Sequence, residues 1–315
     1  MRVKLFMWFV ISWLSVSLIN AQPDTIYTYY KSMNDAEIRL IAFKDSENDL
    51  QLKIIQLDLI NSNRKKFNAE NVMLDILASR VANKMCREAS ENNFAGHWNM
   101  AGEKPYHRYA FAGGKDHITE NASAKWIAGT FGSDKETTLK TMLELHSLFM
   151  AEKSPNDGHK KNCINKMHNY VGIGMYAKGH QFSYYEEFID RYFKFGEIPQ
   201  LVQPGESFSL TVSTQPEKYL LCLLAYYEKK PESMLVKSIN RKTSYTDFSN
   251  KEALRIYPWE LAKMRKDHTY TIELKFTKPG LYYIHLYQNN TEIKTEKTFD
   301  TDGKVEGSGI VIKVE

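Results

Sequence analysis

The sequence predicts an α+β protein, on three observations. Two long segments of the first half carry apolar residues at helical spacing. An aromatic-rich strand pair closes that half, and the remainder alternates apolar and polar residues in short runs. Helices followed by strands, then strands alone, describe a layered α-β unit joined to an all-β one. A chain of 315 residues has room for two domains. Its 43% hydrophobic content, with 19 Tyr and 16 Phe, can fill two cores, which argues against disorder.

Residues 1–21, "MRVKLFMWFVISWLSVSLINA", place Arg2 and Lys4 before an apolar run and end on Ala21. This is the pattern of a secretory signal peptide cleaved after Ala21. The apolar run, residues 5–19, falls short of the ~20 residues that span a bilayer. A secreted or periplasmic protein is therefore expected, with no transmembrane segment in the mature chain. Loss of Arg2 and Lys4 would lower the formal charge from +4 to +2. With no long basic run either, nucleic acid is not an expected partner. The odd count of three cysteines, Cys86, Cys163 and Cys222, in apolar surroundings predicts buried free thiols, with a Cys86–Cys163 bridge as the alternative.

Residues 22–49 form a lead segment with no assignable element. From Leu50, "LQLKIIQLDLINSNRKK" sets Leu52, Ile55, Leu57, Leu59 and Ile60 near one helical face. A second helix is expected through "ENVMLDILASRVANKMCREASEN", using Val72, Leu74, Leu77, Val81 and Met85. Residues 94–121 then show neither period. A third helix follows in "SDKETTLKTMLELHSLFMAEK", with Ser133 and Glu136 at capping-box spacing. "NYVGIGMYAKGHQFSYYEEFIDRYF" reads as two strands around Lys178-Gly179.

Beyond Phe195, Pro199, Pro204 and Gly205 mark the entry to a second domain. There "SFSLTVS", "YLLCLLAYYE", "TYTIELKF", "GLYYIHLY" and "SGIVIKV" read as strands of a β-sandwich, with a helical crossing in "IYPWELAKMRK".

The chain lacks HExxH, GxSxG, a phosphate-binding GxxxxGK[ST] and paired CxxC. What remains are four residues at helix ends and in irregular positions: His97, Glu120, Glu152 and His159. Two imidazoles can hold a divalent ion while two carboxylates fix the rings or act as acid and base. Spacing alone leaves open that Glu152 is a solvated helix-end charge and His97 a surface cap. His107 and His117 are expected to satisfy irregular backbone, His146 to be a packed core residue, and His168 and His180 to lie at the surface. His268 and His285 have no evident partners.

"NFAGHWN", "ENASA", "MAEKSPNDGHKKN" and "YVGIGMY" occur in that order and together resemble the signature blocks of the CAP superfamily. This family is also called SCP/TAPS (cysteine-rich secretory proteins, antigen 5, pathogenesis-related 1). The resemblance covers about residues 50–193. It implies an α-β-α sandwich whose shallow cleft carries two His and two Glu, here His97, Glu120, Glu152 and His159. It also implies a divalent metal, zinc foremost, on the two histidines. Thr119 stands where members often have Gly, and the paired disulfides of eukaryotic members are absent.

The resulting expectation is a signal peptide (1–21), a lead segment (22–49), a CAP domain (50–198) and an immunoglobulin-like β-sandwich (199–315). Its function is expected to be metal-dependent binding of a small, lipidic or glycan ligand. The β-sandwich could serve an extracellular protein or surface partner. The alternative is a metal-assisted extracellular hydrolase of peptide, ester or cell-wall polymer. In it His97 and His159 hold the ion, and Glu120 or Glu152 is the catalytic base.

Overall fold

The computed structural model describes residues 23–132, 134–242, 244–246, 249 and 251–315. The expected signal peptide and the Ser133 cap lie outside these residues.

The lead segment is helical: α1 spans Pro23–Ala36 and buries Tyr30 in the first core. Ser46 and Asp49 close a capping box that starts α2, Glu47–Lys66. Its buried face differs from the expected one. Ile55 is 42% exposed, whereas Lys53, Gln56 and Arg64 are buried beside Leu52, Leu57 and Ile60. Polar partners make this tolerable for Lys53 and Arg64. Lys53 pairs with Asp45 at 2.6 Å, and Arg64 donates to the carbonyls of Glu70, Cys163 and His168.

The second expected helix begins late. Met73–Leu74 is a short strand, β1, and α3 starts at Ile76 behind the N-cap Asp75, whose Oδ1 accepts from the Ala78 amide at 2.7 Å. The 94–121 stretch is less irregular than expected: it contains helix α4, Pro105–Phe111, and the start of β2, His117–Trp126. Helix α5, Lys135–Ala151, is capped by Asp134, and α6, Gly158–Cys163, follows. The hairpin β3, Tyr170–Lys178, and β4, Gln181–Asp190, turns where expected.

These strands form a sheet ordered β1-β3-β4-β2, so β2 is an edge strand. Val171, Ile173, Phe182, Tyr184 and Phe188 share a core with α1, α2 and α5. Ile118, Tyr185 and Ile189 point to the other face, toward α3 and α4. The result is a helix-sheet-helix sandwich.

The second half contains two sheets. One is ordered β10-β11-β7-β5 (Arg265–Lys266, Thr269–Lys275, Ser207–Ser213, Lys194–Phe195). The other runs β6-β14-β12-β8-β9 (Leu201–Val202, Ile310–Val314, Gly280–Asn289, Tyr219–Glu228, Glu252–Ile256), with β13, Val305–Glu306, on β12. Inward residues of both sheets, among them Leu210, Ile272, Leu223, Ile284 and Ile312, make one core. β7 and β11 alternate cleanly because their outer face meets solvent. β8 and β12 are apolar on both faces. Leu281 and Tyr283 of β12 pack against Tyr106, Tyr109 and Ala110 of α4, while Leu221, Cys222 and Leu224 of β8 form a small separate cluster. Two short helices, α7 (Val236–Ile239) and α8 (Pro258–Met264), interrupt the strands. All three cysteines are buried free thiols. Among the described residues no helix is long and apolar enough to cross a membrane.

Candidate functional site

Pairing of β2 with β4 sets Glu120 opposite Glu187 and Asn121 opposite Glu186. Strand alternation sends the first pair to the α3–α4 face of the sheet and the second to the α5–α6 face. Because β2 is an edge strand, side chains from both faces meet at its open side. An open cleft of about 590 Å3 straddles that edge, and His97, Glu120, Glu152 and His159 all line it.

On the α3–α4 face, His97 lies just beyond α3, and its Nδ1 is 2.8 Å from Glu120 Oε1. The other carboxylate oxygen of Glu120 accepts from Arg108 Nη2. Arg108 Nη1 also donates to the His97 carbonyl at 2.6 Å, so one guanidinium ties the histidine's backbone to its carboxylate partner. Burial, helped by the Arg108 charge, lowers the His97 pKa to about 4, so the ring is neutral at physiological pH.

Beneath Glu120 lies Glu187, fully buried, with Oε1 3.7 Å from Arg108. One cation serves two carboxyl groups. Burial raises both pKa values, Arg108 pulls Glu120 back, and the charge on Glu120 pushes Glu187 well above the carboxylate range. Glu187 is therefore the protonated member of the pair.

On the other face, Glu152 ends α5 as its C-cap, and α6 begins six residues later. Glu152 Oε2 accepts from the His159 and Lys160 amides at 2.9 and 3.3 Å, and its Oε1 lies 2.5 Å from His159 Nδ1. The His159 ring stacks on Phe149 at 4.7 Å. Both histidines thus present Nδ1 to a carboxylate, which leaves Nε2 as the nitrogen free for another ligand.

Three contributors had gone unread in the sequence. Glu187 had a signal, two adjacent acids in the otherwise apolar "SYYEEFI"; Arg108 and Tyr245 had none. Tyr245, from the second half of the chain, lines the cleft. Its hydroxyl accepts from the Glu120 amide at 3.0 Å, and its ring lies 4.8 Å from that of His97.

The remaining histidines are mostly paired with acids. His107 Nδ1 accepts from the Lys104 amide, the expected backbone role, and its Nε2 is 3.0 Å from Glu228. His117 and His168 flank Asp190 at 2.8 and 2.6 Å, so His168 is a buried residue rather than a surface one. His285 does have a partner, Glu306.

His146 is buried, as expected, and joins a second cluster. Among the described residues, His146, Cys163 and Glu186 are the one set of three such groups with ligand atoms within 4.8 Å of one another. Their contacts are those of a hydrogen-bonded network. His146 Nδ1 lies 2.6 Å from Glu186 Oε1, which also accepts from Tyr184 at 2.7 Å, and Asn121 donates to Cys163 Sγ at 3.1 Å. Burial and the Glu186 charge push the Cys163 thiol well up, so without a bound ion it is protonated.

No protein-family model and no curated protein matches the sequence. Over about 44% of its length the chain is similar in structure to bacterial SCP-domain proteins. An extracellular protein containing an SCP domain from Bacillus anthracis is 22% identical, with TM-score 0.34, over 44% of this chain and 40% of its own. A cysteine-rich secretory protein from Staphylococcus aureus is 16% identical, with TM-score 0.29, over 44% of this chain and 39% of its own. An outer surface protein from Borrelia burgdorferi is 19% identical, with TM-score 0.35, over 45% of this chain and 93% of its own. This chain thus spans about two fifths of the Bacillus and Staphylococcus proteins.

Proposed function

We propose that the protein is an exported CAP-type binding protein whose cleft holds a divalent cation, zinc foremost, on Nε2 of His97 and His159. The observation that carries this reading is the matched treatment of the two imidazoles. Each lines the same cleft, and each has Nδ1 engaged by a carboxylate, the arrangement that fixes tautomer and ring orientation in metal-binding histidines. Two imidazoles fall short of the three protein ligands usual for catalytic zinc, so the site favours reversible binding. The ion, when bound, supplies a Lewis-acidic centre to an oxygen-rich ligand.

In this reading Glu120 and Glu152 orient the rings. Both oxygens of each are already engaged, those of Glu120 by His97 and Arg108, which leaves neither poised as the base of a hydrolase. Ligands of the cleft would be small polar molecules or glycans, since Asn156, Asn165, Lys161 and Ser244 share its lining. The reading takes residues 50–198 as the CAP domain and 199–315 as an immunoglobulin-like sandwich, entering the export pathway through the 1–21 signal.

Metal content after equilibration with Zn2+ tests it. The wild type should retain the ion, and His97→Ala and His159→Ala should each lose most of it. Equal retention by all three proteins would refute the assignment.

A further inference from the structure

The described residues of the connection between β8 and β9 (229–242, 244–246, 249 and 251) leave the second half of the chain, and several of them lie along the 94–104 loop of the first. The Met234 amide donates to the Met100 carbonyl at 2.7 Å, and the Ala95 amide donates to Asn240 Oδ1 at 3.0 Å. Ile239 of α7 is fully buried in a cluster with Met85, Ala89, Phe94 and Tyr185. Lys242 Nζ lies 4.4 Å over the Trp98 ring, and Lys104 Nζ reaches the Thr246 carbonyl at 3.4 Å. Gly102, at φ 77°, sits so close to the Glu232 backbone that any Cβ would collide with it. Anchored at these points, the connection delivers Tyr245 to the cleft.

The hydroxyl of Tyr245 meets a particular amide. Among the described residues β2 pairs only with β4, and in an antiparallel ladder alternate residues turn their N–H groups away from the partner strand. Glu120 is such a residue: its N–H donates to Tyr245 Oη at 3.0 Å. The same ring packs against His97 at 4.8 Å and edge-on to Trp98 at 6.3 Å. Tyr245 therefore touches both members of the His97–Glu120 pair, one through its ring and one through its hydroxyl.

From this we infer that the β8–β9 connection is a strap that completes the cleft, with Tyr245 as the positioning residue for His97 and Glu120. The strand-rich half is then part of the binding site and not merely an attachment module. This rests on the metal reading of the cleft for its functional consequence, but the strap itself does not. A ligand entering the cleft meets a wall from each half of the chain, so its selectivity is set jointly. Without the strap, His97 loses the ring that confines it, and the Glu120 amide loses the hydroxyl that accepts its N–H.

Tyr245→Phe and Tyr245→Ala in the full chain test the inference by two readouts. Amide hydrogen exchange measured by NMR should be faster at Glu120 by about fivefold in Tyr245→Phe, the loss of one ordinary hydrogen bond. The Thr119 and Asn121 amides, which face β4, should stay protected, a pattern that a general loosening would not give. Zn2+ affinity measured by calorimetry should fall about tenfold in Tyr245→Ala, as for loss of outer-shell support, and recover substantially in Tyr245→Phe. Unchanged Glu120 exchange in both variants would overturn the strap. Faster exchange with wild-type Zn2+ affinity in Tyr245→Ala would overturn its positioning role. A wild type that binds no Zn2+ would overturn the metal reading instead, and the Glu120 exchange would then decide the strap alone.

Discussion

Glu120 and Glu187 face each other across the β2–β4 ladder, both buried, and share the single guanidinium of Arg108. Two carboxylates and one cation in a dry site would leave an unbalanced negative charge, so the pair keeps a proton, on Glu187. That proton has a measurable consequence. A carboxyl whose folded pKa is raised binds its proton more tightly in the native state than in the unfolded one. Stability is then greatest below the ordinary carboxylate pKa and declines as pH rises toward the folded value.

Glu187→Gln has the same shape and no proton to lose. Urea unfolding from pH 5 to pH 8 should show the wild type losing stability relative to this variant, at up to about 1.4 kcal/mol per pH unit for one proton. Parallel stability curves would mean that Glu187 is ionised in the fold and that the charge assignment is wrong.

His97 gives the opposite sign. Its pKa falls to about 4, so on acidification the unfolded chain takes up a proton near pH 6.5 that the folded chain refuses. Stability is lost as pH falls between those values, by about 3 kcal/mol in all. His97→Gln should flatten that part of the profile, and NMR should show the wild-type imidazole still neutral at about pH 5.5. A His97 ring that titrates with an ordinary midpoint would contradict the burial and the Arg108 contact together.

The cluster of His146, Cys163 and Glu186 is expected to behave as a structural network and not as a metal centre. Burial opposes the charge on Glu186, yet His146 and the hydrogen bonds from Tyr184 and Cys163 hold its pKa below the usual value. Glu186→Gln should therefore cost about 3 kcal/mol at neutral pH, the scale for breaking a buried, fully bonded charge. Cys163→Ser should leave Zn2+ stoichiometry unchanged. Loss of one equivalent of Zn2+ in that variant would move the metal site to the α5–α6 face.

What could be read in the sequence follows from where each element finds its partners. The β3–β4 hairpin and the α3 and α5 helices advertise themselves because local period and turn chemistry agree with their packing. α1 is hidden by its tyrosines and threonines, poor helix formers that are offset only by docking on α2. β2 is hidden for a different reason. His117, Glu120 and Asn121 occupy buried positions where an apolar residue would signal a strand, and their partners Asp190, Arg108 and Glu186 come from other elements. Residue spacing did not bring His97, Glu120, Glu152 and His159 together; only the resemblance of the short blocks did. Nothing local in the sequence announces Tyr245, which is 125 residues from the amide it caps.

The glycines of "YVGIGMY" make the last prediction, because they fix how closely α3 lies on the sheet. A Cβ on Gly172 would sit 2.5 Å from that of Ala78, and one on Gly174 would sit 2.5 Å from that of Ala82. Neither contact can be relieved by a side-chain rotation, since both partners are alanines on a helix backbone. Gly172→Ala and Gly174→Ala should each force α3 outward and cost about 1–3 kcal/mol, the range for overpacking a filled core. Because α3 leads directly into the loop that carries His97, the displacement should also weaken Zn2+ binding, while Gly129→Ala, which meets open space, should change neither. Thermal unfolding and Zn2+ calorimetry on the three variants check this, and an unshifted midpoint in both Gly172→Ala and Gly174→Ala would show that the helix-to-sheet spacing is not held by these positions.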